Sequence, residues 1–137
     1  MKRRATVICE RKGRVLLVPR VRGRWSFPGG RQKAGEELIL TAARELKEET
    51  LLDAEHIRYA FQFRGLRTRH FVFIAKMSDD ATPTPSSEIE RCEWVKLEEL
   101  GKVEASIPTK GTAEIVLKQA QGSSGRALRE AFDAMAA

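Results

Sequence analysis

Between Glu36 and about Thr50 the hydrophobic pattern changes period. Leu38, Ile39, Ala42, Ala43 and Leu46 recur at three- and four-residue spacing, whereas the segments on either side alternate or run as β-branched stretches. One amphipathic helix set among strands admits few architectures: it must cover one face of a sheet, and the other face then needs its own cover. The 137 residues suffice for one domain of that kind, burying roughly two-thirds of the unfolded surface. Residues 1–137 are therefore expected to form a single domain.

The flanking segments supply the sheet. Arg4 to Glu10 and Arg14 to Pro19, separated by Arg11-Lys12-Gly13, predict a hairpin, and Trp25-Ser26-Phe27 a brief strand stopped by the turn Pro28-Gly29-Gly30. Ile57 to Phe63 and His70 to Met77 predict two more strands joined through Arg64-Gly65-Leu66. Ser78 to Ser87, with its Asp, Pro and Ser residues, reads as a surface loop. Ile89 to Leu97 reads as a strand, Glu98-Glu99-Leu100 as a short helical turn, and Pro108 as an interruption. Two amphipathic helices, about Thr112 to Ala120 and Ala127 to Met135, are expected around Gly122-Ser123-Ser124-Gly125. The fold class is α/β, a mixed sheet covered on two faces.

No stretch approaches the ~20 apolar residues that cross a bilayer, and the apolar run after Met1-Lys2-Arg3-Arg4 meets Glu10-Arg11-Lys12 too soon for a secretion signal. A cytoplasmic protein without a membrane partner is expected. Cys9 and Cys92 lack the close pairing of a zinc or redox site and read as reduced core residues. His56 has no companion at ligand spacing and takes no role. Twenty-five Lys and Arg against nineteen Asp and Glu give a net charge of +6, which favours anionic partners: nucleic acid, nucleotides or other phosphates.

The acid is concentrated in the helix. Glu45, Glu48 and Glu49 stand at i, i+3 and i+4, and at about 100° per residue they share one face. Glutamate suits a solvated helix face, but like charges at this spacing repel, and negative charge in a last turn opposes the helix dipole. Arg44 offsets part of this. A divalent ion offsets more, and carboxylate oxygens suit Mg²⁺ or Mn²⁺, which bind through a few carboxylates together with substrate phosphates. Gly30, in the Pro-Gly-Gly turn ahead of the helix, would let a backbone carbonyl approach such an ion.

Gly30, Glu36 and the run Arg44-Glu45-Leu46-Lys47-Glu48-Glu49-Thr50-Leu51-Leu52, preceded by Trp25-Ser26-Phe27-Pro28-Gly29-Gly30, resemble a Nudix box. Every specified position of the family pattern is met except Leu51, where the family places glycine. That glycine caps the helix in a left-handed conformation costing an ordinary residue ~1–2 kcal/mol. Either Leu51 accepts that strain or the helix continues to near Asp53.

The resemblance implies a Nudix-type α/β/α sandwich with a mixed β-sheet and a hydrolase of diphosphates linked to another moiety, using Mg²⁺ or Mn²⁺ and water. It implies Glu45, Glu48 and Glu49 as metal ligands with the Gly30 carbonyl, Arg44 as the group that orients the glutamates, and Glu36 as a structural partner. Glu48 and Glu45 are the candidates for the general base, and Glu88 is a further candidate ligand or base from outside the box. Arg20, Arg22 and Arg24, just before the turn, are candidates for binding phosphates the metal leaves unneutralised, as arginine pairs with them bidentately. Arg69 belongs to a second cationic cluster with Arg64, Arg67 and His70. Trp25 is a candidate for stacking on a base, and Phe27 is read as core. The expected substrates are small phosphorylated molecules: dinucleoside polyphosphates, nucleoside triphosphates or diphosphoinositol polyphosphates. The competing reading is a non-catalytic module that binds a phosphorylated ligand or RNA, with a hydrolase acting on RNA 5′ ends between the two.

Overall fold

The computed structural model describes residues 1–20, 23–54, 56–78 and 92–119. The elements are β1 (Lys2–Arg11), β2 (Arg14–Pro19), β3 (Trp25–Ser26), β4 (Gly29–Arg31), α1 (Leu38–Thr50), β5 (His56–Arg64), β6 (Thr68–Lys76), β7 (Glu93–Lys96), a 3-10 helix (Leu97–Lys102) and α2 (Ile107–Gln119). The expected hairpin joins β1 and β2. Its turn residues Lys12 and Gly13 both have positive φ, 52° and 76°, as a turn matching the twist of the flanking strands requires.

β1 is the central strand. Along one edge it runs parallel to β6, from Lys2 opposite Thr68 to Glu10 opposite Lys76. Along the other it is shared: its C-terminal end pairs with β2, and its N-terminal end pairs with β4, with Arg4 opposite Arg31 and Thr6 opposite Gly29. The order β3-β2-β1-β6-β5, with β7 on β2, makes a mixed sheet.

Alternation splits the core in two. Ala5, Val7 and Cys9 face α1 with Phe73, Ala75 and Leu16, packing on Ala42 and Leu46. Ile8, with Val15, Leu17, Val72 and Ile74, faces the opposite way onto Ala113 and Val116 of α2. The middle strands are apolar on both faces because both faces are covered. This is the α/β/α sandwich that the helix pattern required.

The structure corrects several local readings. Pro28-Gly29-Gly30 does not simply turn: Gly29 opens β4, where a Cβ would run into the Ala5 carbonyl. Pro108 does not interrupt a helix. It lies in the first turn of α2, where no N–H is needed, so α2 begins at Ile107, ahead of Thr112. α1 turns Thr41, Glu49 and Thr50 inward with Ala42 and Leu46, leaving Ile39 exposed. The helix stops at Leu51, which is left-handed (φ 61°, ψ 12°) and donates its N–H to the Lys47 carbonyl at 2.9 Å. Of the two alternatives at that position, the strained cap is the one adopted. The expected loop 78–87 beyond Ser78, the start of the strand expected from Ile89 and the helix expected over 127–135 fall outside the described residues. No helix among the described residues is long and apolar enough to cross a membrane.

Candidate functional site

Arg44 gathers the acids of α1 and the segment before it. Its Nε and Nη2 donate to the two oxygens of Glu36 at 2.7 and 3.0 Å, and its Nη1 to Glu45 at 2.9 Å and to Glu48 at 3.3 Å. Nη2 also reaches the Arg31 carbonyl at 3.2 Å, tying α1 to β4. Glu36 further accepts the Thr41 hydroxyl at 2.7 Å and the Lys33 N–H at 3.1 Å. These donors, Arg44 first, hold its carboxyl down to about 2, and the same pairing raises Arg44.

The three box glutamates differ in setting. Glu49 is 1% exposed and accepts the Gly29 N–H at 2.8 Å. It is paired with Arg20, whose Nη1 and Nη2 bridge its two oxygens and whose Nε donates to the Ser26 hydroxyl at 2.7 Å. Glu45 lies over Gly30, so that a Cβ at Gly30 would fall within the Glu45 carboxylate. Glu48 is the most open of the three, its side chain 49% exposed. Helix spacing alone suggested convergence. Instead, guanidiniums neutralise these acids, and no group of three acids, imidazoles or thiols among the described residues forms a ready-made metal cluster. The donor chemistry fits a hard divalent ion all the same: carboxylate oxygens beside a glycine whose missing side chain leaves the Glu45 carboxylate room at the turn.

A groove of about 530 Å³ runs along these residues, lined by Gly29, Gly30, Arg44, Glu45 and Glu49 with Arg4 and Arg20. Across Arg4 and Arg20 lies a second space, a cavity of about 680 Å³ between the sheet and the start of α2, bounded by Phe27, Phe63, His70, Ile107 and Pro108. Phe27, read as core, is core and also cavity wall. His70 is buried and stacks on Phe63, centroids 4.8 Å apart. Its Nδ1 has no hydrogen-bond partner among the described residues, and burial, then Arg4, pushes its pKa down.

The other arginines are placed unevenly. Arg20 lines both spaces, but the carboxylate it neutralises is Glu49. Arg24 lines neither: it is exposed, and its carbonyl accepts the Arg20 N–H at 2.6 Å. Arg69 also lines neither and donates to Gln62 at 3.1 Å. Its position in β6 is adjacent to that of cavity-lining His70, so alternation turns it to the opposite face. Among the described residues, neither Arg24 nor Arg69 lines the groove or the cavity. Arg22 and Glu88 lie outside the described residues. Arg4, not singled out from the sequence, lines both spaces. Its signal was alternation, which puts it on the face of Thr6 and Ile8, but its neighbours are set by the pairing of β1 with β4.

A family model described as the NUDIX domain matches residues 1–115. The chain is 29% identical over 133 residues to nucleoside diphosphate-linked moiety X motif 6 of Mus musculus, covering 88% of this chain and 40% of that protein. It is 31% identical over 108 residues to phosphatase NudJ of Shigella boydii, covering 71% of each. A nudix hydrolase family member from Chromobacterium violaceum superposes with a TM-score of 0.79 at 25% identity, covering 98% of this chain and 90% of that one. A MutT NUDIX hydrolase from Burkholderia pseudomallei shares the fold, with a TM-score of 0.73 at 22% identity over 82% of this chain and 95% of its own. The chain spans about half the length of the first curated relatives it matches, from 40% to 58%.

Proposed function

The chain belongs to the NUDIX domain family, and on that premise we propose that it is a divalent-metal-dependent hydrolase of a diphosphate linkage in a nucleotide-type or other highly phosphorylated small molecule. The observation that carries this reading is the arrangement at the turn: the Glu45 carboxylate over Gly30, with Arg44 holding Glu36, Glu45 and Glu48 together. The relatives' printed names, a nucleoside diphosphate-linked moiety X protein and a hydrolase of a CMP phosphonate, support a nucleotide-type substrate.

Glu45, Glu48, Glu49 and the Gly30 carbonyl would hold Mg²⁺ or Mn²⁺. When bound, the ion supplies Lewis acidity toward phosphate oxygens and lowers the pKa of water. The rest is the work of the chain. Arg44, fixed by Glu36, sets the side chains of Glu45 and Glu48. Glu48, half-exposed beside Arg44, would take the proton of the attacking water, and Glu45 is the other candidate. Arg20, paired with Glu49, would bring a further guanidinium to the groove.

The test is a Mg²⁺- or Mn²⁺-dependent hydrolysis screen over nucleoside, dinucleoside, sugar-nucleotide and inositol diphosphates, with Glu48→Gln alongside. Turnover of at least one substrate is expected, abolished by chelation and reduced about 100-fold or more in the variant. No turnover across the panel would leave the phosphate- or RNA-binding module, and an unchanged rate in the variant would remove Glu48 from the chemistry.

A further inference from the structure

Two residues, Arg4 and Arg20, line both the carboxylate groove and the apolar cavity among the described residues. Their circumstances differ. Arg20 is neutralised by Glu49 and hydrogen-bonded to Ser26. Arg4 donates through one Nη2 to the Gly29 carbonyl at 3.2 Å and has no carboxylate partner among the described residues. A guanidinium has five N–H donors in a fixed fork, so among the described residues most of its capacity is unused. It is half-buried; burial first and then the positive charge of Arg20 work against its charged form, and the nearby carboxylates of Glu49 and Glu45, though not paired with it, offset part of that.

A brace for the Gly29 carbonyl would need one N–H, not a five-donor fork. The surroundings point to an anion. Among the described residues, four arginines, Arg4, Arg20, Arg64 and Arg67, line the cavity, and no Asp or Glu does. The start of α2 also borders it, through Thr109 of the first turn and Ser106 just ahead of the helix, adding the positive end of a helix dipole. Between these charges the walls are apolar, with Phe27 and Phe63 on the sheet side and Ile107 and Pro108 on the helix side. A ligand matching both features has an anionic segment and an apolar, ring-bearing end.

We propose that Arg4 is a phosphate-binding residue. With Arg20 it holds the phosphates of an anhydride substrate where they cross from the carboxylate groove, while the organic moiety packs on Phe27 and Phe63 in the cavity. The word substrate rests on the hydrolase reading. The binding does not, and is testable without turnover.

The experiment uses the full chain in EDTA, free of divalent metal, with inorganic pyrophosphate and ADP as probes in isothermal titration calorimetry. Hydrogen bonds to charged groups at this strength predict that Arg4→Gln, which keeps a donor for the Gly29 carbonyl, weakens pyrophosphate binding about 10- to 100-fold. Arg4→Lys, keeping charge without the fork, should fall between Arg4→Gln and wild type. Thermal unfolding without ligand and Mn²⁺ binding followed by paramagnetic resonance should change little in either variant, whereas a purely structural role would move both. A readout needing no variant protein is the Arg4 Nε–H resonance of the wild type, which pyrophosphate should shift. Equal pyrophosphate affinity in wild type and Arg4→Gln, no binding by the wild type at millimolar concentration, or an unmoved Arg4 resonance would overturn the proposal. A protein that turns over nothing yet binds pyrophosphate through Arg4 would sink the hydrolase reading alone. An active enzyme whose pyrophosphate binding ignores Arg4 would sink this one alone.

Discussion

Glu36 is held ionised by Arg44 and by the donors of Thr41 and Lys33, not by burial. Its carboxyl sits at about 2 against an ordinary 4.5, so its contribution to stability is complete above the ordinary value and is lost as pH falls through the folded one. Glu36→Gln should therefore show a urea midpoint that falls less steeply than wild type between about pH 5 and about pH 2. Parallel curves would mean the Arg44 pair does not couple to folding. At the other end of the helix, Leu51 carries the left-handed strain where its side chain is 50% exposed. Leu51→Gly should stabilise the fold by roughly 0.5–1 kcal/mol, the relief of strain less the greater freedom glycine has when unfolded. A loss of stability in urea titration would show that the Leu51 side chain matters more than its backbone. Of the partners of Arg44, Glu48 was legible because i+4 neighbours share a helix face. Glu45 followed only from the resemblance, which gave Arg44 as the group that orients the glutamates, and the Glu36 pair was not legible, since Glu36 was read only as a structural partner at the helix start. Arg4 was not, because the Gly29 carbonyl it meets is brought to it by strand pairing across the sheet.

Elements followed the same division between local and non-local causes. The β1–β2 hairpin and α1 could be read from turn chemistry and period. β4 could not, since two glycines and an arginine carry no strand signal until β1 offers them an edge. Pro108 was misread because a proline inside an apparent helix pattern breaks it, while the same residue at the first turn starts it. That start is wired to the site. The Ser106 hydroxyl accepts the Thr109 N–H at 3.3 Å and bonds the Thr109 hydroxyl at 2.9 Å, and Thr109 Oγ1 accepts the N–H of Phe27 at 3.2 Å. α2 is thus joined to the strand leading into Pro28-Gly29-Gly30. Thr109→Val preserves shape but orphans the buried Phe27 N–H, and should destabilise by about 1–3 kcal/mol. A change within about 0.3 kcal/mol in urea unfolding would show that water or a shifted hydroxyl replaces the bond.

Across the whole molecule the +6 charge conceals an uneven distribution, with acids collected along α1 and arginines facing them across the groove. Without a dication the guanidiniums of Arg20 and Arg44 are the counterions, and Arg44 alone serves Glu36, Glu45 and Glu48. A divalent ion at the turn would share that neutralisation, so its binding must stabilise the folded chain by mass action, roughly 2.7 kcal/mol at a hundredfold excess over its dissociation constant. Mg²⁺ should accordingly raise the unfolding temperature of the wild type. NaCl at matched ionic strength should not reproduce the rise, because screening acts on every exposed charge and selects none. The double variant Glu45→Gln, Glu48→Gln leaves the buried Glu49–Arg20 pair in place and removes two of the three carboxylates, so its unfolding temperature should barely respond to Mg²⁺, whatever its own baseline. If the double variant gained as much from Mg²⁺ as the wild type, the ion would be binding elsewhere. The acids of α1 would then be a helix face neutralised by arginine alone, and the hydrolase reading would lose its physical basis.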